Sequence, residues 1–441
     1  MGAASLAPNP ARMLQKTAMP AAHSRAARSS LSGALSPFAV RSFRFQWPAD
    51  FLSSWAYEME NLILGWYVLS ATGSVLFLTL FGALQYFGTL LAPLFGVAGD
   101  RIGRRTTFCV MRAFMCAVAC TIMTLGLLGY LKPTIVLPCA FLTGLVRPSD
   151  MVLRNALIGD TMPKGSLMNA LGLSRMTMDS ARIVGALVGA GLFAALGIGR
   201  AYMFVAAFYA VSFFLTLGVS GANPRDWADA HADHVPPKNA LARHWRDLRD
   251  GIVYAWKTPA AAGLMLLACL VNFMGFPLTF NLMPYVAREV YHLDATGLSH
   301  LVAGIGLGAL TGSILMALRG GEENSGRFMT VALLLWFVGI AVFAHLDSKA
   351  LALPVLFFTG VAHSFGMIAM SGVLLRAVSD RFRARVMGIR MLCVYALPFG
   401  LLLTGPLIER IGYPTTALLY VAFGIVCTAA ITWRWRAVLW H

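Results

Sequence analysis

Charge is scarce in this sequence. Only 12% of the 441 residues are Asp, Glu, Lys or Arg and 58% are hydrophobic, whereas soluble globular proteins average about 25% and about 45–50%. A soluble helical enzyme is excluded by that balance. Acidic residues are the rarer sign, 19 against 35 Lys and Arg, and residues 1–44 contain none. Paired cysteines are also missing: Cys109, Cys116, Cys120, Cys139, Cys269, Cys393 and Cys427 all fall in apolar segments, without the spacing of a metal site or disulfide frame. They read as packing residues. No short apolar core precedes residue 45, as a cleaved secretory signal would require. No nucleophile with a base, metal constellation or phosphate-binding Gly loop is apparent, so the chain does not read as an enzyme and calls for no metal or organic cofactor.

What is abundant is long apolar runs. Crossing the hydrocarbon core as a helix takes about 20 apolar residues, and such runs recur from residue 45 almost to the C-terminus. Twelve candidate spans lie near 46–69, 75–98, 106–129, 134–158, 166–196, 199–219, 260–287, 298–318, 327–345, 351–374, 386–407 and 413–433. The one long break, 220–258, divides them six and six. The expectation is an all-α membrane protein, twelve transmembrane helices in two six-helix bundles at 45–219 and 259–441. Before them lies a basic, Ala/Ser/Pro-rich segment, 1–44. Its composition fits a disordered cytoplasmic tail and also an organellar transit peptide, the tail being the simpler reading.

The formal charge of +16 would suggest nucleic acid in a soluble protein. Here the cations sit in the short connections, and a positive-inside topology explains them without any nucleic-acid partner. With the N-terminus inside, the outer connections hold only Lys132, Arg200, Arg288, Lys349 and Arg410. Both termini are therefore expected in the cytoplasm, the chain spanning a cell membrane, most simply a bacterial inner membrane, as a monomer in the lipid bilayer. The linker 220–258 opens with Asn223-Pro224 and Pro236-Pro237. It then reads as a surface helix with Leu241, Trp245, Leu248, Ile252 and Trp256 on one face. His231 and His234 beside Asp229 and Asp233 are treated as solvated, since the ligand count is open and no Cys joins them.

Ionisable groups at membrane depth are costly and face a bundle interior or an aqueous cavity, so each is a candidate site. In the first span Ser54, Glu58, Asn61 and Gly65 share one helical face, and Glu60 points nearly opposite. Glu58, with no cation nearby in sequence, is the expected proton carrier, and a hydrogen bond across helices is its structural alternative. Arg147, Asp150 and Arg154 share a face of the fourth span, as do Arg175, Asp179 and Arg182 in the fifth. Both sets read as an ion-pair lattice between these two helices, or as a gate or substrate contact. Arg112 and Arg390 lie nearer helix ends, where snorkelling to the interface is the expectation. The second half contributes Asn272, Asn281 and His363, with Pro277 and Pro284 permitting bends.

Between the second and third spans stands Gly96-Val97-Ala98-Gly99-Asp100-Arg101-Ile102-Gly103-Arg104-Arg105, a charged turn readable as a cytoplasmic hinge. Its glycines allow helix ends to approach, Asp100 can bond a helix amide or a cation, and the arginines can anchor to headgroups or to the other half. This spacing, with the six-plus-six division, resembles the major facilitator superfamily across about residues 45–435. A closer likeness is to the exporter branch that includes the enterobactin exporter and the transmembrane secretion effectors. It is carried by Gly65-Trp66 with Thr72-Gly73-Ser74, Arg154-Asn155-Ala156-Leu157-Ile158, Asn169-Ala170, Arg182-Ile183-Val184-Gly185, and the run Asp380 to Gly388. Two departures stand out. Tyr57 falls where that branch usually has an acid, with Glu58 one place on; Ala186 and Ala190 replace the proline and second glycine of the fifth-helix antiporter motif.

The resemblance implies a secondary transporter that exports a small organic molecule by alternating access, driven by the proton gradient, and the first-half aromatic residues Trp55, Tyr57, Trp66, Tyr67 and Phe77 suit an amphipathic one. Its expected pathway comprises Glu58, Asn61, Asp150, Arg154, Asp179, Arg182, Asn272, Asn281 and His363. Its expected gating loop comprises Gly96, Asp100, Arg101, Gly103, Arg104 and Arg105. Uptake of an organic solute and a non-transporting receptor or scaffold are the alternatives.

Overall fold

The computed structural model describes residues 36–88, 102–163, 166–219, 249–250, 252–319, 325–378, 386 and 389–440, side chains at 168, 179, 317–319 and 325 excepted. Among these residues the protein is built of helices without strands. In chain order they are α1 (Arg41–Thr72), α2 (Val75–Leu84), α3 (Arg104–Leu127), α4 (Pro133–Thr161), α5 (167–196), α6 (198–217), α7 (Pro259–Val290), α8 (Ala295–Arg319), α9 (Ser325–Ala344), α10 (Lys349–Ala377), α11 (Ile389–Ile411) and α12 (Tyr413–Arg434). Nine stretches of the described residues are long and apolar enough to cross a membrane, and the longest of them, Asn169–Leu217, holds both α5 and α6. The linker-helix reading at 241–256 lies mostly outside the described residues; 252–257 is helical.

Backbone chemistry sets the ends. α1 stops at Gly73, whose left-handed φ of 64° lets its amide bond Leu69 O at 2.8 Å and close the last turn. α5 and α6 are separated at Gly197 (φ 72°, ψ 175°), a conformation that any Cβ would strain. α1 begins at Arg41, a turn before the apolar run. Phe43 there is buried in a small cluster with Phe38, Trp47, Ile158 and Met162, so this first turn is held by packing.

α7 is the most enclosed span: 72% of its apolar window is buried, against 33% for Asn169–Leu217. It is also the least regular. Three π-type segments, Val271–Gly275, Pro277–Asn281 and Val286–Val290, interrupt it. Pro277 and Pro284 lack the amides an α-helical ladder needs, and the ladder widens between them: Leu282 N bonds Pro277 O, five residues back, at 3.1 Å.

The two halves meet through α1 against α7, α2 against α11, and α5 against α8. Glycines make these approaches close: a Cβ on Gly82 would stand 3.2 Å from Asn281 and from Leu401, one on Gly405 2.5 Å from Thr79, and one on Gly306 2.8 Å from Ile183. At the far end of α1 an Arg288 guanidinium donates to Leu69 O at 2.6 Å. The Gly405–Thr79 and Arg288–Leu69 contacts join the halves on the side away from the N-terminus of α1.

Candidate functional site: a cavity between the halves

A cavity of about 420 Å³ lies at mid-depth, walled by α1, α2, α4 and α5 from the first half and α7, α8 and α11 from the second. From the first half come Tyr57, Glu58, Asn61, Tyr86, Arg147, Arg175 and Arg182; Phe276, Phe280 and Asn281 face them from α7. The spacing of Ser54, Glu58, Asn61 and Gly65 puts all four on the cavity side of α1. Tyr57 donates to Gln85 Oε1 at 3.0 Å and Gln85 Nε2 donates to Asn61 Oδ1 at 3.0 Å, fixing both cavity residues to α2. The Arg147 guanidinium lies over the Tyr57 ring, and that of Arg182 is 5.7 Å from the Phe280 centroid.

Glu58 does not sit in cation-free surroundings. Three arginines from α4 and α5 line the same cavity, a proximity that the intervals of 89 to 124 residues hide in the sequence. Its position depends on α5 passing close by. A Cβ on Gly185 would stand 2.9 Å from Glu58 Cβ and 3.3 Å from Trp55 O, and one on Gly189 3.0 Å from Met59 Cα. Glu60, on the opposite face, is buried and accepts hydrogen bonds from Tyr202 (3.0 Å) and Tyr209 (2.8 Å) of α6.

Asp150 and Arg154 belong to a separate, sealed cluster. Arg154 pairs with Asp150 at 3.0 Å and approaches Asp50 at 3.5 Å, while Arg112 pairs with Asp50 and approaches Asp150 at 3.6 Å. Ser212 and Thr216 accept from Arg112 at 2.6 and 3.1 Å, and Ser54 accepts from Arg154 at 3.1 Å. Two expectations are corrected here. Asp150 and Arg154 of α4 pair with Asp50 of α1 and Arg112 of α3 in place of the expected lattice with α5, and Arg112, expected to snorkel, is 1% exposed with its guanidinium over Phe108. Asp50 is the residue the sequence reading passed over: it completes the two-to-two balance that buried charges need. Arg390 likewise bonds inward, to Ser371 of α10.

In the second half, Asn281 lines the cavity, whereas Asn272 turns back to Ala268 O at 2.8 Å. His363 of α10 stands behind the aromatic wall, its ring 5.4 Å from both Phe276 and Phe280 and 4.8 Å from Trp336. Neither ring nitrogen has a hydrogen-bond partner. Asp179, as a side chain, and Gly96, Asp100 and Arg101 lie outside the described residues. Of the remaining gating-loop residues, Gly103 precedes α3 with φ 98°, Arg104 bonds Asp160 through both carboxylate oxygens (2.8 and 3.0 Å), and Arg105 donates to Leu217 O.

A family model described as Major Facilitator Superfamily matches residues 46–399. The chain belongs to the major facilitator superfamily. Solved members share its fold at low identity. A bacterial homologue of the human lysosomal transporter Spinster, in an inward-facing and unoccupied conformation, superposes with a TM-score of 0.69 at 16% identity, covering 90% of this chain and 97% of its own. A D-xylose–proton symporter gives 0.69 at 12%, covering 88% and 96%. The human organic anion transporter MFSD10 gives 0.59 at 16%, covering 89% and 99%. Curated proteins yield no match. A major facilitator protein is a secondary transporter of small molecules, embedded in a membrane and non-enzymatic in its family role. The likeness within the family to the enterobactin-exporter branch rests on the sequence motifs alone.

Proposed function

We propose that this major facilitator protein exports a small amphipathic organic molecule by alternating access, exchanging it for a proton carried on Glu58. The supporting observation is the mid-depth cavity shared by both halves, in which Glu58 stands beside aromatic side chains from α1, α2 and α7. Aromatic walls gain more from burying and stacking a flat apolar body than from a small sugar. The Lys and Arg distribution supports both termini in the cytoplasm of a bacterial inner membrane. On that topology the Gly405–Thr79 approach and the Arg288–Leu69 hydrogen bond lie on the outer side.

A second reading, uptake together with a proton, is favoured by Arg147, Arg175 and Arg182. A substrate anion held by these arginines would repel a charged Glu58, so substrate and proton would bind together rather than in alternation.

Reconstituted vesicles separate the readings. A panel of compounds is offered to proteoliposomes with an acidic lumen. Exchange accumulates the substrate inside; co-transport expels it. Glu58→Gln should uncouple flux from the pH gradient while counterflow of unlabelled against labelled substrate continues. No flux of any compound by the wild type would leave a receptor or scaffold.

A further inference from the structure

We infer that Met265, Cys269 and Cys393 form a three-sulfur site between α7 and α11 for one soft monovalent metal ion, Cu(I) or its redox-inert counterpart Ag(I). The inference goes beyond the transport reading and stands whatever the cavity carries.

Helical spacing brings the two α7 donors together: Met265 and Cys269 are four residues apart and share a face. Cys393, on the first turns of α11, packs against that face. Its Sγ lies 3.9 Å from Met265 Sδ and 3.6 Å from Met265 O, and its thiol meets that of Cys269. Three sulfurs held by an ion at about 2.3 Å, the length of a metal–thiolate bond, stand about 4.0 Å apart when arranged trigonally. One edge of that triangle is therefore already formed. Cys393 is buried, whereas Met265 and Cys269 are half-buried, and Val394 beside Cys393 lines the cavity, so an ion has an approach.

The donor set decides the ion. Thioether and thiolate are soft ligands and select Cu(I) over harder divalent ions. Structural zinc takes four ligands from Cys, His or carboxylate, and among the described residues no three such side chains gather. Binding releases both thiol protons and leaves one net negative charge on the three sulfurs and their ion. Arg390, three residues before Cys393, acts on that thiol and offsets the charge while its guanidinium bonds Ser371 of α10 at 2.5 Å. On the proposed topology the sulfurs lie within about 15 Å of the inner ends of their helices, at about 1.5 Å per residue, on the side of a reducing cytoplasm where thiols stay reduced. Both helices leave regular α geometry beside the site, α7 in the π-turn Val271–Gly275 and α11 in the 3-10 turn Cys393–Tyr395. An ion held here ties together the inner ends of two helices that wall the cavity.

The test uses the full-length protein, reduced and kept anaerobic in lipid nanodiscs, titrated with Ag(I), Cu(I) and Zn(II) in competition with a chromophoric chelator of each ion. The first equivalent of Ag(I) or Cu(I) is expected to bind at least a hundredfold more tightly than Zn(II). Cys269→Ser and Cys393→Ser should each weaken Ag(I) binding at least a hundredfold and Met265→Leu at least tenfold, whereas Cys116→Ser with Cys120→Ser, which removes a thiol pair confined to α3, leaves it within twofold. X-ray absorption at half an equivalent of Cu(I) should show three sulfurs around the ion in the wild type and two in Met265→Leu, a readout that misfolding would not mimic. Unchanged Ag(I) affinity in Cys393→Ser overturns the inference, as does loss of the tight equivalent in the Cys116→Ser, Cys120→Ser variant. Zn(II) bound as tightly as Ag(I), or two sulfurs in the wild-type spectrum, overturns it equally.

Discussion

Arg147 and Arg154 stand two turns apart on α4, and their surroundings are opposite. Arg154 is 4% exposed, paired with Asp150 and close to Asp50, and fixed by Ser54 and Gln46, its carbonyl accepting from Gln46 Nε2 at 3.1 Å. Arg147 lies over a tyrosine ring on the wall of a cavity. A charge whose neighbours add up to neutrality holds helices together. A charge on the wall of a cavity is within reach of something that enters and leaves. The same residue type on one helix thus serves structure at one turn and recognition at another.

The comparison breaks most sharply at Arg112. Removing one member of a buried pair strands the other, at a cost of roughly 3–5 kcal/mol, so Arg112→Gln should lower the midpoint of thermal unfolding in detergent more than any cavity substitution. A midpoint within a degree or two of wild type would show that α1, α3, α4 and α6 are not held by this cluster. Asp50→Asn added to Arg112→Gln should recover part of the loss, because the stranded carboxylate is then neutral.

Next comes the approach of α5 to α1. Gly185→Leu would place a branched side chain where even a Cβ is 2.9 Å from Glu58 Cβ. Transport is expected to fall at least tenfold with the protein still folded, and retained proton-linked flux would show that Glu58 does not need its present position. A smaller effect belongs to Glu60. Tyr209→Phe removes a charge-assisted hydrogen bond of 2.8 Å, worth roughly 1.5–3 kcal/mol. Stability should drop by that order while substrate selectivity is unaltered; changed selectivity would place Glu60 in the pathway.

The smallest effect is expected at Arg104, whose pair with Asp160 is part-exposed, with 28% and 19% of the side chains accessible. Such pairs contribute under about 1 kcal/mol, so Arg104→Ala should leave the unfolding midpoint nearly unchanged. A large fall would promote this end of α3 to the class of Arg112.

The spans and the break at 220–258 were legible because a membrane segment must satisfy its backbone within itself, and that demand leaves long apolar runs in the sequence. The cavity face of α1 was legible for a related reason: helical periodicity alone separates Glu58 from Glu60. Partnership was not. Asp50 meets Arg112 and Arg154, 62 and 104 positions away, and no local pattern announces such a meeting. Arg112 misled because snorkelling is judged by distance from a helix end, and a carboxylate from α1 with two α6 hydroxyls makes an inward position better satisfied. The arginines around Glu58 were visible one by one, yet their convergence depends on α4 and α5 both flanking α1, which only the fold provides.

The π-turns of α7 carry a consequence for any scan along that helix. Each one is a phase slip: an extra residue enters the turn and every following side chain is rotated relative to a regular helix. The positions that reach the cavity, Phe276, Phe280, Asn281, Met283 and Pro284, accordingly fall at intervals of four, one, two and one instead of a steady three or four. Cysteine replacements labelled from the aqueous side should follow that broken rhythm. Deleting one residue within 277–279 should swing Phe280 and the positions after it off the cavity and leave Phe276 in place, so that half of the aromatic wall can be removed without changing the identity of a single remaining side chain.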